Sequence, residues 1–396
     1  MISQTDIEKI ISSAKSLLHA EDTSVIVAHL PVLQERLDYL KTSFTRAVMH
    51  AIAIKTNPHP QMLAHIVRLG FSLEAASIEE VELALEAGAS SSHIVFDSPV
   101  KTQMEIDRVA QMEGMLVNVN SIEELKRFPK TVKCILGIRI NPQVHTGAPE
   151  MFDVSRNESK FGVALEERAQ ILQAALEYPV SALHIHSGSQ MRDLEVQYGA
   201  LRSLKSLADE INERHPGKIK VLDIGGGLPT EELNEVSTMR TYGSKVTELF
   251  GHSSYQLVTE FGQWIHADAG LALSRVEYVL DQKRIFIHLG ADFFMRDAYT
   301  TPRAFNLQVW NDNGSTVAGA SSKFDIAGPL CFAGDYLAHQ APLPANIQAG
   351  MWLSIAGTGA NTYALWSRHC SRKVPKYLCW DGESTTIWSN RTTINY

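Results

Sequence analysis

The chain has 396 residues, 44% of them hydrophobic and 20% charged, with a formal net charge of −8. This is the composition of a globular protein large enough for two domains, and the negative balance makes no electrostatic case for nucleic acid or an anionic membrane as partner. Four cysteines (Cys134, Cys331, Cys370, Cys379) with no C-x-x-C pair predict reduced thiols in a cytoplasmic protein rather than a disulfide framework, and no stretch reads as a secretory leader or a membrane span.

Thr5-Asp6-Ile7-Glu8 reads as a capping box. Behind it Ile7, Ile10, Ile11, Ala14, Leu17 and Leu18 fall on one helical face, which predicts a docking helix. Residues 25–27 read as a short strand and 30–40 as a second helix. From residue 48 strand-like and helix-like stretches alternate. Strands are predicted at 48–54, 71–75, 93–96, 115–119, 134–140, 181–186, 219–224 and 256–260, with helical patterns such as 78–86, 165–176 and 194–211 between them. Eight such repeats predict a (β/α)8 barrel; strand count alone does not prove closure, so an open doubly wound sheet is the competitor. From Arg275 the texture changes to strands at 276–279, 285–288, 305–309, 322–326 and 352–355 without long helical periods. The expected division is an N-terminal segment 1–30 packing with a β-domain, a barrel over 31–274, and the β-domain over 275–396.

Barrel enzymes work at the C-terminal ends of their strands. The first strand there ends in Lys55, either a snorkelling surface charge or an amine held in a pocket. The second carries Glu74 and the fifth Arg139. The sixth runs into His184-Ile185-His186-Ser187-Gly188-Ser189-Gln190, the seventh into Gly225, Gly226 and Gly227, and the eighth into Glu260-Phe261-Gly262-Gln263. A glycine triplet lets backbone N–H groups approach an anion, and it stands where such barrels bind phosphate; alone it is more often just a flexible turn. His184 and His186 have no third ligand at metal-site spacing, so no metal is expected, and either one also fits as a buried core histidine. A lysine, a phosphate cradle and a carboxylate on one rim describe a site for pyridoxal 5′-phosphate.

These residues resemble the barrel-type (fold type III) pyridoxal-phosphate decarboxylases, the group of the diaminopimelate and ornithine decarboxylases. The resemblance covers nearly the whole chain. It rests on Ala53-Ile54-Lys55-Thr56-Asn57-Pro58, Glu74-Ala75-Ala76-Ser77, Arg139-Ile140-Asn141-Pro142, Ser159-Lys160-Phe161-Gly162 and His186-Ser187-Gly188-Ser189-Gln190. It continues through Gly225-Gly226-Gly227, Gly328-Pro329-Leu330-Cys331 with Asp335, and Gly359-Ala360. It implies an alanine-racemase-like fold, a barrel plus a C-terminal β-domain, and a homodimer with shared sites. It implies that Lys55 carries the cofactor, that His186 stacks on its ring, that Ser189 and Gly225, Gly226 and Gly227 bind its phosphate, and that Glu260 pairs with its ring nitrogen. Glu74 and Arg139 are expected beside the cofactor. Cys331 is implied to complete the neighbour's site near the substrate α-carbon, with Arg296 and Asp335 as substrate-binding positions.

Three departures bear on specificity. The family's Glu-Pro-Gly-Arg is Glu260-Phe261-Gly262-Gln263, its Gly-Ala-Tyr is Gly359-Ala360-Asn361 with Tyr363 two residues on, and the acid that follows its cysteine is Phe332. Gly262, Gln263, Asn361 and Tyr363 therefore stand at cofactor positions with altered chemistry. Phe332 stands where relatives meet the distal ammonium of their substrate. The resemblance implies α-decarboxylation, and Phe332 predicts a substrate other than diaminopimelate, lysine or ornithine. A citrate-conjugated amino acid of the kind that siderophore pathways decarboxylate would suit. Two other readings stand beside it. A racemase on the same fold would need a second base, commonly a tyrosine, for which no matching motif occurs. A catalytically silent relative would bind a protein partner, against which Lys55, His186, Glu260 and Cys331 all argue.

Overall fold

The computed structural model describes residues 1–230, 236–300 and 303–393. By contacts the chain forms two compact units, Leu37–Trp264 and a second made of Met1–Arg36 with Ile265–Tyr396. Each is taken separately below. Strand β1 (Ser24–His29) belongs to the second.

The unit Leu37–Trp264 carries β2 (Val48–Ala53), β3 (Ser72–Ala75), β4 (Ile94–Phe96), β5 (Leu116–Val119), β6 (Ile135–Asn141), the two-residue β7 (Val163–Ala164), β8 (Val180–His184), β9 (Val221–Asp223) and β10 (Gln256–Thr259). Eight of these, all but β7, pair in parallel in the order β2-β3-β4-β5-β6-β8-β9-β10, and β10 returns to pair with β2. The ring is closed, so the barrel is right and the open sheet is excluded. The eight expected strands are all present, with no end moved by more than two residues. β3, β4 and β5 are buried at every position, as parallel strands covered on both faces must be. Ala51, Val95, Leu116, Ala182, Val221 and Val258, one from each of six strands, pack into one apolar cluster.

Several helices between these strands start on side-chain caps. Ser77, Thr102, Ser121 and Asp193 each accept from a backbone N–H in the first turn, and Thr102 with Glu105 closes a reciprocal capping box. Such caps fix where each helix starts after its strand, and so where the functional strand ends are held.

The other unit is mostly sheet. Its strands are β1, β11 (Gly270–Leu280), β12 (Arg284–Ile287), β13 (Asn306–Trp310), β14 (Ser321–Ala327), β15 (Tyr336–Pro344), β16 (Trp352–Ala356), β17 (Lys376–Trp380) and β18 (Thr385–Ser389). β1 lies between β11, antiparallel, and β17, parallel. The helix Gln4–Ala14 packs Ile7, Ile10 and Ile11 against Leu271, Leu273, Trp310, Trp352, Leu378 and Trp380. Its cap is Ser3, which accepts from the Asp6 N–H at 3.1 Å, and not the expected Thr5 box. The expected strands are present here too. Three others were not anticipated. β15 carries Pro342 and Pro344, which read as breakers but are tolerated on an edge strand. β17 opens on Lys376, a residue that looks exposed in a sequence but is 2% exposed here, its ammonium 2.7 Å from Asp22. β18 is short and half-exposed.

Candidate active site

The polar side chains of the barrel collect at the C-terminal ends of its strands, and the strand register puts them there. Arg139, His184 and Asp223 are direct neighbours across β6, β8 and β9. Asn118 donates from Nδ2 to Asp223 Oδ2 at 3.1 Å. Gly137 makes room for it, because a Cβ there would stand 2.3 Å from Asn118 Oδ1.

Lys55 lies in the 3₁₀ turn Ile54–Thr56 that ends β2. Its side chain is 48% exposed, yet its ammonium donates to Glu74 on β3, which is fully buried. Burial works against the Lys55 charge, but Glu74, Asp97 and Glu260 outweigh it and hold its pKa above the ordinary lysine value. The Lys55 side chain is thus half-exposed, with its amine paired to a buried carboxyl group. Burial, then Asp97, raises Glu260 to about 7. Its Oε2 lies 3.5 Å from His184 Nε2 and 3.6 Å from His186 Nδ1. Burial lowers His184 to about 4 and keeps His186 well below the usual imidazole range, so both rings are neutral. Burial, then Glu260, pushes Asp223 well above the carboxylate range.

The glycine triplet follows β9. Gly225 and Gly227 have φ of +64° and +106°, a backbone region that favours glycine. A Cβ on Gly226 would lie 2.3 Å from the Glu260 carbonyl, and one on Gly227 1.9 Å from that of Gly188. The triplet is thus required by the close approach of the loops after β8 and β10. Two of its amides already donate within the protein, Gly225 to Asp223 Oδ1 at 3.1 Å and Gly226 to His186 Nδ1 at 3.3 Å. The second bond orients the His186 ring. Ser189 is half-buried on the neighbouring loop, its amide bonded to the Phe152 carbonyl. The Arg139 guanidinium lies 4.4 Å from the centre of the Phe161 ring. Gly162, at φ +78°, sits where a Cβ would meet the Asn141 amide at 2.8 Å. The two motifs around these residues are in contact, which explains why both belong to one pattern. Gly262 lies against Ala53 and Thr56, and Gln263 opens the short helix Gln263–His266.

This unit therefore holds Lys55, Glu74, Arg139, His186, Ser189, Gly225, Gly226, Gly227, Glu260, Gly262 and Gln263. Asp97, Asn118 and Asp223 were not singled out, and His184 was weighed only as a metal ligand or core residue. Asp97 directly follows β4, so the rule that named Lys55 and Glu260 would have found it. The Asp97, His184 and Glu260 ligand atoms lie within 4.8 Å of one another, a convergence from three strands that spacing around the histidines does not reveal.

The remaining expected residues belong to the other unit. Cys331 is exposed with a free thiol. The Phe332 ring is stacked between Tyr299, 5.3 Å away at 8°, and His369, 5.7 Å away at 17°. Arg296 is half-buried on the helix Met295–Tyr299 beside that stack, and its neighbour Asp297 pairs with Arg303 at 2.9 Å. Asp335 is 4% exposed and accepts from the Ala291 and Leu330 amides at 2.7 and 2.6 Å. Its carboxylate is engaged in closing its own loop, which argues against the substrate contact expected of it. Asn361 has a φ of +58°, and Tyr363 packs edge-on against Tyr377 at 5.2 Å.

The barrel rim fits pyridoxal 5′-phosphate on its own terms. Glu260 Oε1, both His184 ring nitrogens and Ser187 Oγ are buried without a hydrogen-bond partner, which a buried polar group does not sustain cheaply. An amine, a carboxyl that holds a proton near neutral pH, and loops with the close backbone approach of glycine match an aldehyde, a ring nitrogen and a phosphate. By the resemblance, Gln263 is expected at the phosphate. A guanidinium gives a charge-assisted hydrogen bond where an amide gives a neutral one, a difference of about 1 kcal/mol or roughly fivefold in Kd. Gln263→Arg is expected to retain cofactor about that much more tightly on dialysis; equal retention would show that another group has taken over the phosphate.

Comparison with known proteins agrees. The sequence profile of the pyridoxal-dependent decarboxylases, pyridoxal binding domain, matches residues 30–267. The diaminopimelate decarboxylase of Pseudomonas aeruginosa is 30% identical over 355 residues, covering 86% of this chain and 83% of that one. The Vibrio cholerae enzyme of the same name is 28% identical over 357 residues, covering 87% and 84%. The crystal structure of Helicobacter pylori diaminopimelate decarboxylase complexed with L-lysine superposes with a TM-score of 0.86 at 23% identity, covering 95% of this chain and 96% of that one. The barrel, its rim and these matches lead to one conclusion: the chain belongs to the pyridoxal-phosphate-dependent decarboxylases of fold type III, and it is a carboxy-lyase acting on an amino acid with pyridoxal 5′-phosphate as cofactor.

Proposed function

We propose that the protein is an α-decarboxylase for a modified amino acid whose side chain ends without an ammonium group. The observation that carries this reading is the Tyr299–Phe332–His369 stack, which places an aromatic ring at the position where relatives have an acid. The other candidate acids there are engaged, Asp297 by Arg303 and Asp335 by two backbone amides. An ammonium facing Phe332 would gain about 1–2 kcal/mol of cation–π energy. An unpaired buried charge costs more, about 3–5 kcal/mol. An uncharged or anionic tail fits better, with Arg296 as its partner. A citrate-conjugated amino acid of a siderophore precursor has that chemistry.

When bound, the cofactor supplies the electron sink that stabilises the α-carbanion left as carbon dioxide departs. Lys55 would hold it covalently through its amine. Glu260 would hold a proton for the ring nitrogen, and neutral His186, oriented by the Gly226 amide, would bind beside it. Arg139, Ser189 and the glycine loop would hold its remaining polar groups, with Gln263 in place of the family's arginine. Cys331 would supply a proton for the α-carbon. Because Cys331 is exposed and belongs to the unit without Lys55, we propose that it serves the partner chain of a homodimer. Its exposed free thiol also suits a reducing, cytoplasmic setting.

A screen of free and conjugated amino acids for carbon dioxide release tests the substrate reading. Preference for an amino acid with a neutral or carboxylated tail is the expected result. Efficient turnover of diaminopimelate, lysine or ornithine, with kcat/KM at or above ~10⁴ M⁻¹s⁻¹, would overturn it.

A further inference from the structure

Asp223 ends β9 and is fully buried. Each of its oxygens accepts a hydrogen bond. Oδ1 accepts from the Gly225 amide at 3.1 Å, and Oδ2 accepts from Asn118 Nδ2, also at 3.1 Å. The second bond spans the barrel interior. Asn118 lies on β5, and β6 and β8 stand between β5 and β9 in the ring. Asn118 is itself firmly seated, at 1% exposure. Its carbonyl accepts from the buried Lys101 ammonium at 2.8 Å, and its side chain fills the space over Gly137, its direct neighbour on β6.

Gly225 is where this brace meets the site. Its amide is the one that Asp223 holds. Its carbonyl accepts from the Glu260 amide at 2.8 Å. The next amide, that of Gly226, donates to His186 Nδ1 at 3.3 Å. A Cβ on Gly225 would lie 2.6 Å from the Ile185 carbonyl and 2.8 Å from His186 Nδ1, so the loop has no slack on that side. Residues linked by hydrogen bonds of 2.8 to 3.3 Å therefore run from Lys101 through Asn118 and Asp223 to the backbone that seats Glu260 and His186.

We propose that Asn118 is a positioning residue for Glu260 and His186: through Asp223 it holds Gly225 in the conformation that seats both. The proposal rests on the reading that Glu260 meets the ring nitrogen of the bound cofactor. Its physical basis is the cost of a buried polar group without a partner. Without the Asn118 donor, Asp223 Oδ2 is left in the barrel interior with nothing to accept from. The carboxyl group then turns or takes up a proton, the Gly225 amide loses its acceptor, and the Glu260 backbone loses its fixed seat. The titratable and charged groups around Glu260 are Lys55 after β2, Asp97 after β4, Arg139 on β6, His184 at the end of β8, His186 beyond it, and Asp223 on β9. Replacing Asn118 leaves every one of them in the chain.

The test reads the proton on the ring nitrogen rather than turnover. Full-length holoenzyme is loaded with pyridoxal 5′-phosphate labelled with ¹⁵N in the ring. The ¹⁵N resonance differs widely between a protonated and an unprotonated ring, and it is followed against pH. Asn118→Leu keeps the shape of the side chain and removes its donor. The midpoint at which the ring nitrogen loses its proton is expected to fall by about one pH unit, the equivalent of one hydrogen bond. Asp223→Asn keeps the brace, because the Asn118 amide can turn over to accept where it now donates, and it is expected to titrate as the wild type does. A midpoint that moves in Asp223→Asn and stays in Asn118→Leu would show that the Asp223 charge acts and the brace does not, which overturns the proposal. A merely structural role would lower the melting temperature of Asn118→Leu and leave its midpoint in place, and that result overturns it too. Asn118→Ala takes the place of the leucine variant if that protein fails to fold by circular dichroism. Glu260→Gln separates the two readings. A wild-type resonance in it refutes the placing of Glu260 at the ring nitrogen. A displaced resonance in it, together with an unmoved midpoint in Asn118→Leu, refutes the role of Asn118 alone.

Discussion

Replacing Lys55 by alanine is expected to abolish decarboxylation, with a loss on the order of 10⁴-fold or more, the scale seen when a covalent nucleophile is deleted. Borohydride treatment of the wild-type holoenzyme should leave a pyridoxyl group on the peptide that contains Lys55 and on no other; a label elsewhere, or none, would refute the assignment. The argument comes from position and charge together. Lys55 ends β2 at the rim where such barrels do their chemistry. Its ammonium donates to Glu74, and Glu74, Asp97 and Glu260 hold its charge against burial. The other lysine near this rim, Lys101, is fully buried, bonded to the Ser98 and Asn118 carbonyls and 2.9 Å from Glu124. It is a strut between loops rather than a reagent. Lys55→Ala should also fold, because the side chain is half-exposed.

The second large effect concerns the substrate tail. Phe332→Asp is expected to raise kcat/KM for amino acids with a distal ammonium by about 10²-fold, and to lower it for the natural substrate. The magnitude follows from the cost of an uncompensated charge, at least about 3 kcal/mol, which the new carboxylate removes. The direction follows from what lies nearby. Asp297 and Asp335 are held by Arg303 and by the Ala291 and Leu330 amides, so neither is open to replace the missing acid. Carbon dioxide release from meso-diaminopimelate by the variant and the wild type, side by side, provides the measurement. An unchanged ratio would mean that another surface reads the tail.

How much of this was legible beforehand differs from residue to residue. Lys55, Glu74, Arg139, His186 and Glu260 were readable because each lies within two residues of the end of a strand whose apolar run and following turn are local features. The (β/α)8 architecture was readable for the same reason, since alternation of strand and helix leaves its mark in short windows. The edge strand β15 was missed because its prolines break the local pattern without breaking an edge pairing. β17 was missed because Lys376 owes its burial to Asp22, more than three hundred residues away in the chain.

Other features were beyond any window. Closure of the barrel is the pairing of β10 with β2, a long-range register that no run of residues encodes by itself. The engagement of Asp335 by backbone amides turns on how one loop folds over another. Asp97 followed a predicted strand and could have been named, but not its proximity to His184 and Glu260 across the barrel. Charge and hydrogen bonding act through space, and only the closed ring of strands brings the ends of β4, β8 and β10 together. The sequence by itself determined which chemical groups stand at the strand ends; the tertiary structure decided which of them meet, because burial and proximity, not identity, set where a charge can reside.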